Sequence, residues 1–406
     1  MQKLPLEGIR VVDFTVAWAG YHITQWLAVM GAEVIKIESS LHPDMMRTFF
    51  AQDMTLVLGL NLSVSFAVLN YGKKGCTLNM NHPKAREVAK AIVKVSDIVA
   101  ENFGGPVMER WGLGYSDLKK LKPDIIMYSG SGYGRTGPYK EFPAFAPIID
   151  AFAGFTALNG YIGGEPRPFG VGGWTDLTAA HHGVFAILAA LYHRSKTGEG
   201  QHIDLSMSEV AAALLPEAII DYTMNDRVRG RLGNRDDIMA PHGCYRCRGE
   251  DKWVAIAVSS EEEWKAFCEV IGNPEWTRDE RFRDGLNRWR NQEELDKLIQ
   301  EWTLNHTPYE IMEMLQKAGV MAGPSSNTEE LVQDHHLEER DFFVDIDHPE
   351  MGRVRLARLP WRLSDSPRGN YQHAPLLGEH NDYVFGELLN MSGEEIARLK
   401  EEQVIL

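Results

Sequence analysis

Gly8-Ile9-Arg10-Val11-Val12-Asp13-Phe14 is an apolar run near the start of the chain, and Ala19 to Met30 follows with the composition of a helix. Gly31 ends that helix, and Ala32-Glu33-Val34-Ile35-Lys36-Ile37-Glu38 is a second apolar run. Read together, residues 8–38 are strand, helix, strand. Two strands joined through a helix run parallel, so this opening predicts a parallel sheet with helices on its faces. The same rhythm continues outward: a strand from Cys76 to Met80, a helix from Pro83 to Val95, and a strand from Asp97 to Ala100. A helix at Leu118 to Leu121 and a strand at Ile125 to Tyr128 extend it. The regular alternation predicts a Rossmann-like sheet. Glu38 stands where a dinucleotide fold has its ribose-binding acid, yet the first turn reads Thr15-Val16-Ala17-Trp18-Ala19-Gly20 and lacks the G-x-G-x-x-G pattern, which argues against a nicotinamide cofactor.

Further along, Ser129-Gly130-Ser131-Gly132-Tyr133-Gly134-Arg135-Thr136-Gly137-Pro138 follows a strand. A glycine loop at the carboxyl end of a strand is where open α/β sheets bind ligands, and without Gly-Lys-Ser/Thr it is not a P-loop. Residues 144–158 read as an apolar helix. Gly170-Val171-Gly172-Gly173-Trp174-Thr175-Asp176 then delivers one carboxylate to the start of an Ala-, Leu- and Ile-rich helix that runs to Arg194. At a helix N-terminus the free N–H groups and the dipole favour an ionised carboxylate, and glycines let it approach a substrate carbonyl. Asp176 is therefore a candidate nucleophile. The competing reading is a plain N-cap, since Asp is among the commonest caps. After the strand His202 to Ser206, Met207 to Met224 reads as one long helix.

The character changes at Asn225. Residues 225–240 are charged and aperiodic, as a linker would be. A hairpin (Gly243 to Arg248, Trp253 to Val258) and helices near 260–271, 291–303 and 308–317 follow. The expected fold is α/β: a large domain over 1–225, a small α+β domain over 226–325 inserted in the middle of the chain, and a return to the large domain over 326–406. Residues 41–70, rich in Met, Phe and Leu, read as a lid, an acyl-pocket wall or an interface hairpin.

The 406 residues carry a net charge of −15, which argues against nucleic acid or an anionic membrane as partner but leaves room for a small anion at a local basic patch. The first seven residues lack the apolar core of a signal peptide, and no apolar run is long enough to span a bilayer. Four cysteines are too few for a disulfide scaffold, so a cytoplasmic location is expected. Cys244 and Cys247 have metal-site spacing. They sit on a predicted strand that points them to opposite faces, and no second pair completes a zinc site.

Several of these stretches together carry a resemblance that spans nearly the whole chain. Leu6-Glu7-Gly8-Ile9-Arg10-Val11-Val12-Asp13, Gly31 to Glu38, Glu101-Asn102-Phe103, Ser131 to Pro138 and Thr197-Gly198-Glu199-Gly200-Gln201-His202-Ile203-Asp204 resemble the family III coenzyme A transferases, which include formyl-, carnitine- and benzylsuccinate-CoA transferases. The resemblance implies an interlocked dimer and makes Asp176 the nucleophile. It implies transfer of CoA from an acyl-CoA such as succinyl-CoA to a carboxylic acid through an aspartyl-CoA thioester. No permanent cofactor and no metal would be needed, and CoA thioesters would be substrates. Backbone N–H groups would hold the oxyanions, with a lid around Pro241-His242-Gly243. CoA-binding positions carry over to Trp18 and Ala19, to Leu78, Asn79, Met80 and Asn81, to Asn102, Phe103 and Gly104, to Arg110, and to Phe145 and Ala146. Lys73 and Lys74 would add positive charge or form a solvated turn.

The sequence also departs from that pattern. Trp18 replaces a Gln of the formyl-CoA enzymes, Ser39 replaces an Arg that some members use on CoA, and Phe145-Ala146 replaces a Tyr-acid pair. Trp18, Phe145 and Trp174 make the expected acyl site apolar and favour an aromatic or bulky acid such as a benzylsuccinate-like dicarboxylate. Two other readings stay open. One is an acyl-CoA racemase of the same superfamily, although Phe145 occupies the place of its histidine and His181 and His182 lie past Asp176 on the helix. The other is a CoA-binding subunit that pairs with a homologous chain in place of a homodimer.

Overall fold

The computed structural model of the chain describes residues 3–48, 59–168 and 173–406. They group into two compact units, Met1–Thr156 with Pro168–Val228 and Asp341–Leu406, and Ala157–Arg167 with Arg229–Arg340. The second unit differs from the expected span 226–325 at both ends. It takes in residues 157–167 because Arg231 donates to the carbonyls of Gly164 (3.0 Å) and Ala157 (3.1 Å), and Gly233 N donates to Gly160 O (2.9 Å). It runs on past 325 because Lys252 pairs with Glu330 at 2.5 Å. Neither tie leaves a mark in apolar periodicity.

The first unit is built on six parallel strands in the order β3-β2-β1-β4-β5-β6: β1 (Arg10–Asp13), β2 (Glu33–Glu38), β3 (Lys74–Thr77), β4 (Ile98–Glu101), β5 (Ile126–Ser131) and β6 (His202–Ser206). Between β1 and β4 the order reverses, and crevices form at such a reversal. Helix α1 (Ala17–Val29) connects β1 to β2, and α2 (Pro83–Lys94) connects β3 to β4. Two apolar layers bury the sheet: Ile23, Leu27 and Ile187 on one face, Val88, Ile92 and Phe385 on the other.

Three expectations change in detail. The apolar stretch 144–158 is not one helix: α3 (Ala146–Phe152) stops before Gly154, whose φ of +102° no helix allows. The stretch 207–224 splits into Met207–Ala213 and Pro216–Asn225, since Pro216 has no N–H to continue the ladder. β5 runs on to Ser131, so the first residues of the glycine loop are strand. Helix α4 (Trp174–Thr197) ends at Gly198 in the left-handed conformation. Within residues 326–406, Phe343–His348 and Gly352–Ala357 form an antiparallel pair.

The second unit has a three-stranded antiparallel sheet, His242–Arg246, Trp253–Ala257 and Met321–Pro324. Helices Glu261–Val270, Gln292–Thr303 and Pro308–Lys317 cover it, and Phe267, Phe282, Ile299 and Leu315 are fully buried between them. The hairpin and the three helices match the sequence expectation closely.

Lys73 corrects the reading of residues 73–74 as a source of charge for a ligand or as a solvated turn. It is buried, and its ammonium lies 3.0 Å from the carboxylate of Asp13 at the end of β1. Asp13 also accepts from Thr24 Oγ1 (2.7 Å) and from the N–H and hydroxyl of Thr15 (2.8 and 2.6 Å). Burial opposes the charge on Asp13, but Lys73, Lys36 and the two hydroxyls outweigh it and hold its carboxyl below the usual range. Lys74 instead lies over the ring of Tyr383. Removing one partner of a buried ion pair strands the other charge. Lys73→Met is therefore expected to cost about 3–5 kcal/mol, read as a lower urea midpoint. A loss below about 1 kcal/mol would mean that Asp13 finds another partner.

Candidate active site

The loops that follow the six parallel strands come together at the carboxyl edge of the sheet. The loop after β1 is held from the switch point. Asn102 Nδ2 donates to Val16 O (2.7 Å) and its Oδ1 accepts from Val16 N (2.7 Å), so one side chain after β4 clamps the loop after β1. Gly20 permits this closeness, since a Cβ there would run into Thr15 and Asn102. Ala17, at the turn into α1, takes φ +58°, a strained value for a residue with a Cβ.

The glycine loop after β5 serves the same end. Arg135 pairs with Glu101 and donates to Gly105 O (2.7 Å), while its own N–H donates to Asp204 Oδ1 (3.0 Å). His202 on β6 bonds Ser129 (2.9 Å), and Phe103 N donates to Glu101 Oε2 (2.9 Å). Glu101-Asn102-Phe103, Ser131 to Pro138 and Thr197 to Asp204 are thus one knot of loops.

Asp176 sits in the first turn of α4, half-buried. It is not the N-cap: that residue is Gly173, and Asp176 N donates to Gly173 O (3.0 Å). Gly173 has no room for a side chain, because a Cβ would overlap that of Ala146 on α3. The rest of the predicted glycine run, Gly170 to Gly172, lies outside the described residues. The carboxyl does not follow the expectation of ready ionisation. Burial, and then the nearby Asp150, raise its pKa to about 7. Asp150 lies on α3, is buried, and accepts a hydrogen bond from Thr175 Oγ1 next to Asp176. An acid one turn into an apolar helix reads as a surface residue in sequence, and nothing there singled it out.

Asp176 opens on a cavity of about 500 Å³ lined also by Trp18, Ala19, Asn102, Phe145 and Ala146. A second cavity of about 270 Å³ is lined by Leu78, Asn79, Met80, Asn81 and Phe103, with Phe14 and Trp111. Val16 lines both, so the two adjoin at the residue that Asn102 clamps. Gly104 and Arg110 line neither; Arg110 is exposed at the end of the short helix Val107–Arg110. Tyr128 and Met207 line the larger cavity and were missed, lying on separate elements with no shared motif; Met45 and Met46 line it too. Met45 and Met46 agree with an acyl-pocket wall in the 41–70 stretch, of which residues 49–58 lie outside the description.

His181 packs against Trp26 in a tilted ring contact (4.6 Å between centroids) and His182 bonds Thr178 O (2.8 Å); no histidine among the described residues lines the cavity with Asp176. Also among the described residues, no group of His, Cys, Asp and Glu is placed to hold a metal ion, and no helix is long and apolar enough to cross a membrane. His242 and Gly243 of the expected lid belong to the second unit and line an open cleft of about 420 Å³ within it.

Comparison with known proteins agrees with this geometry. Succinyl-CoA–D-citramalate CoA-transferase of Chloroflexus aurantiacus is 32% identical over 401 residues, 99% of this chain and 98% of that protein. The alpha subunit of succinyl-CoA–L-malate CoA-transferase from Chloroflexus aurantiacus is 33% identical over 404 residues, covering 100% and 93%. The crystal structure of a CAIB/BAIF family protein from Brucella suis superposes with a TM-score of 0.86 at 29% identity, covering 96% of this chain and 100% of that one. The description of CoA-transferase family III matches residues 6–381. A parallel sheet whose strand-end loops close on two adjoining cavities, and a match that runs through all of them, place the chain in CoA-transferase family III as an enzyme of that class.

Proposed function

We propose that the chain transfers CoA between carboxylic acids through a covalent thioester on Asp176. The observation that carries this is a half-buried carboxylate facing an apolar cavity that adjoins a second one along the strand ends. The Asp176 carboxylate attacks the carbonyl carbon of the acyl-CoA, the C–S bond breaks, and CoA leaves as thiolate. The product is a mixed anhydride. The thiolate then attacks the Asp176 carboxyl carbon, the anhydride C–O bond on that side breaks, and the first acid leaves as its carboxylate. The incoming acid reverses both steps, and no net proton is moved. CoA would extend along the two cavities, past Leu78 to Asn81 and Phe103, then Asn102, Trp18 and Ala19, with Phe145 and Ala146 beside the acyl end. Gly104 and Arg110 would lie on the outer rim, where a guanidinium suits phosphate.

The racemase reading needs an acid–base histidine at the acyl group. No described histidine lines the cavity, and residues 49–58 and 169–172 contain none in sequence, which favours transfer. The benzylsuccinate expectation is supported by the aromatic wall of Trp18 and Phe145. We further propose that the chain works in the cytoplasm, in keeping with four free cysteines, and that it pairs with a second chain of the same fold. Ile148 and Phe152 on α3, Phe185 and Tyr192 on α4, and Ile219 and Tyr222 on Pro216–Asn225 are all exposed, as an interface in a paired state would require.

One experiment reads both proposals. Native mass spectrometry after mixing with succinyl-, butyryl- or 3-phenylpropanoyl-CoA is expected to give a dimer carrying a CoA-sized adduct. Hydroxylamine should remove the adduct, and Asp176→Ala should never form it. A monomer that gains the adduct only with a homologous partner would replace the homodimer by a hetero-oligomer. No adduct on any assembly, with α-proton exchange instead, would favour the racemase.

The raised pKa sets a second expectation. Asp176 must lose its proton to attack, so adduct formation should fall about tenfold per pH unit below about 7 and level off above it. Asp150→Asn keeps an acceptor for Thr175 but removes the charge, so the midpoint should shift to lower pH. A flat profile, or a midpoint unmoved by Asp150→Asn, would contradict this.

A further inference from the structure

Residues 403–406 are built into the support of the second cavity. After the helix Gly393–Glu401, Gln403 takes φ +55° and turns the backbone so that Val404 N donates to Leu399 O (2.9 Å). Val404 and Ile405 are then buried in the same apolar cluster as Phe14, Ile37 and Leu78, three residues that line the second cavity. Hydrogen bonds tie the same segment to the lining run Leu78 to Asn81. Asn79 N donates to Val404 O (2.9 Å), and Asn79 Nδ2 donates to Gln403 O (3.2 Å). Thr77, at the end of β3, donates its hydroxyl to Leu406 O and its N–H to Asn381 Oδ1 (2.9 Å). Asn381 Nδ2 donates back to Thr77 Oγ1 (2.9 Å). From β2, Glu38 O accepts from Leu78 N (2.9 Å). The lining run is thus held between β2 and a segment from the far end of the sequence.

Resting on the reading of the second cavity as a CoA site, we propose that Thr77 and Asn381 are positioning residues for CoA. Together they fix Gln403 to Leu406 against the Leu78 to Asn81 wall, and that wall meets the part of CoA remote from the thioester. Neither residue lines the second cavity itself. Thr77 acts through Leu406, and Gln403 and Val404 pass the constraint to Asn79 through their carbonyls. A wall that is already ordered need not be ordered when the ligand arrives, so more of the contact energy shows as affinity. Asp176 lines the other cavity, so loosening this wall weakens the hold on CoA and leaves the attack on the bound thioester unchanged.

The test compares wild type with Thr77→Val, Thr77→Ser and Asn381→Ala. Calorimetry gives the Kd of free CoA, and single-turnover adduct formation is followed at saturating acyl-CoA. Thr77→Val keeps the shape of a buried side chain and removes only its hydroxyl bonds. Its Kd and that of Asn381→Ala should rise about fivefold to tenfold. The saturating rate should stay within about twofold of wild type, and Thr77→Ser, which keeps the hydroxyl, should restore the wild-type Kd. An unchanged Kd in both Thr77→Val and Asn381→Ala would overturn the inference, even if their urea midpoints fell. So would a saturating rate that falls as much as the affinity, since that is the mark of general damage to the fold. Wild type that binds CoA but forms no adduct would count against the aspartyl route alone, and the Kd values would still decide this inference. Wild type that does not bind CoA would overturn the reading of the second cavity, and this inference with it.

Discussion

The ion pair between Asp13 and Lys73 is the constraint from which the rest of the site follows. It sits where β1 ends, and around it Thr15, Thr24, Tyr21 and Asn70 are fixed by bonds to one partner or the other. Lys36 and Arg47 extend the arrangement to Asp44 and Glu38, so that acids and bases alternate beneath the loops. Burial costs each of these charges its hydration, and the mutual pairing offsets that cost. The consequence for function is directional. Cations close to the strand ends are satisfied inside the protein, and the cavity above them is left to Trp, Met and Phe. An apolar cavity beside a buried ionic layer is therefore one design, with the charged groups paired below and the apolar wall above.

Asp176 is placed by a different logic. α3 and α4 approach so closely that Gly173 has no space for a Cβ, and this brings Asp150 near the reacting carboxyl. The helix end favours a negative charge, while burial and Asp150 disfavour it. With a pKa of about 7, the second influence prevails. The folded chain thus holds this proton more tightly than the unfolded one. This group's contribution to stability is full below the usual carboxylate range and is lost as pH rises through about 7. A carboxylate held so reluctantly is also a stronger nucleophile once ionised, which suits attack on a thioester.

Much of the fold was legible in residues 8–38, because strand–helix–strand patterning and the absence of a dinucleotide turn are local properties. The helices of the second unit were legible for the same reason: each carries its own apolar stripe, and Ser260 and Thr307 cap two of them. What was not legible depended on distance in sequence. Residues 157–167 join the second unit through Arg231 and Gly233, far along the chain. Lys73 read as a turn residue because nothing near it announces Asp13. Asp176 was found from its glycine run, but Asp150 comes near its carboxyl, and Tyr128 and Met207 reach the cavity, from separate elements with no shared motif. The stretches that carried the family resemblance proved to be mutually bonded, Arg135 to Glu101 and Asp204 among them, so their joint appearance has a mechanical cause.

The central claim is that Asp176 becomes covalently bonded in each turnover, and oxygen labelling tests it directly. In the proposed route an acceptor acid labelled with ¹⁸O in its carboxylate leaves one labelled oxygen on Asp176 when its CoA thioester departs. Peptide mass analysis after a single turnover is expected to find one ¹⁸O in the peptide that contains Asp176. An unlabelled peptide alongside newly formed acyl-CoA would mean that CoA passes between the acids without a bond to the protein, and would contradict the account.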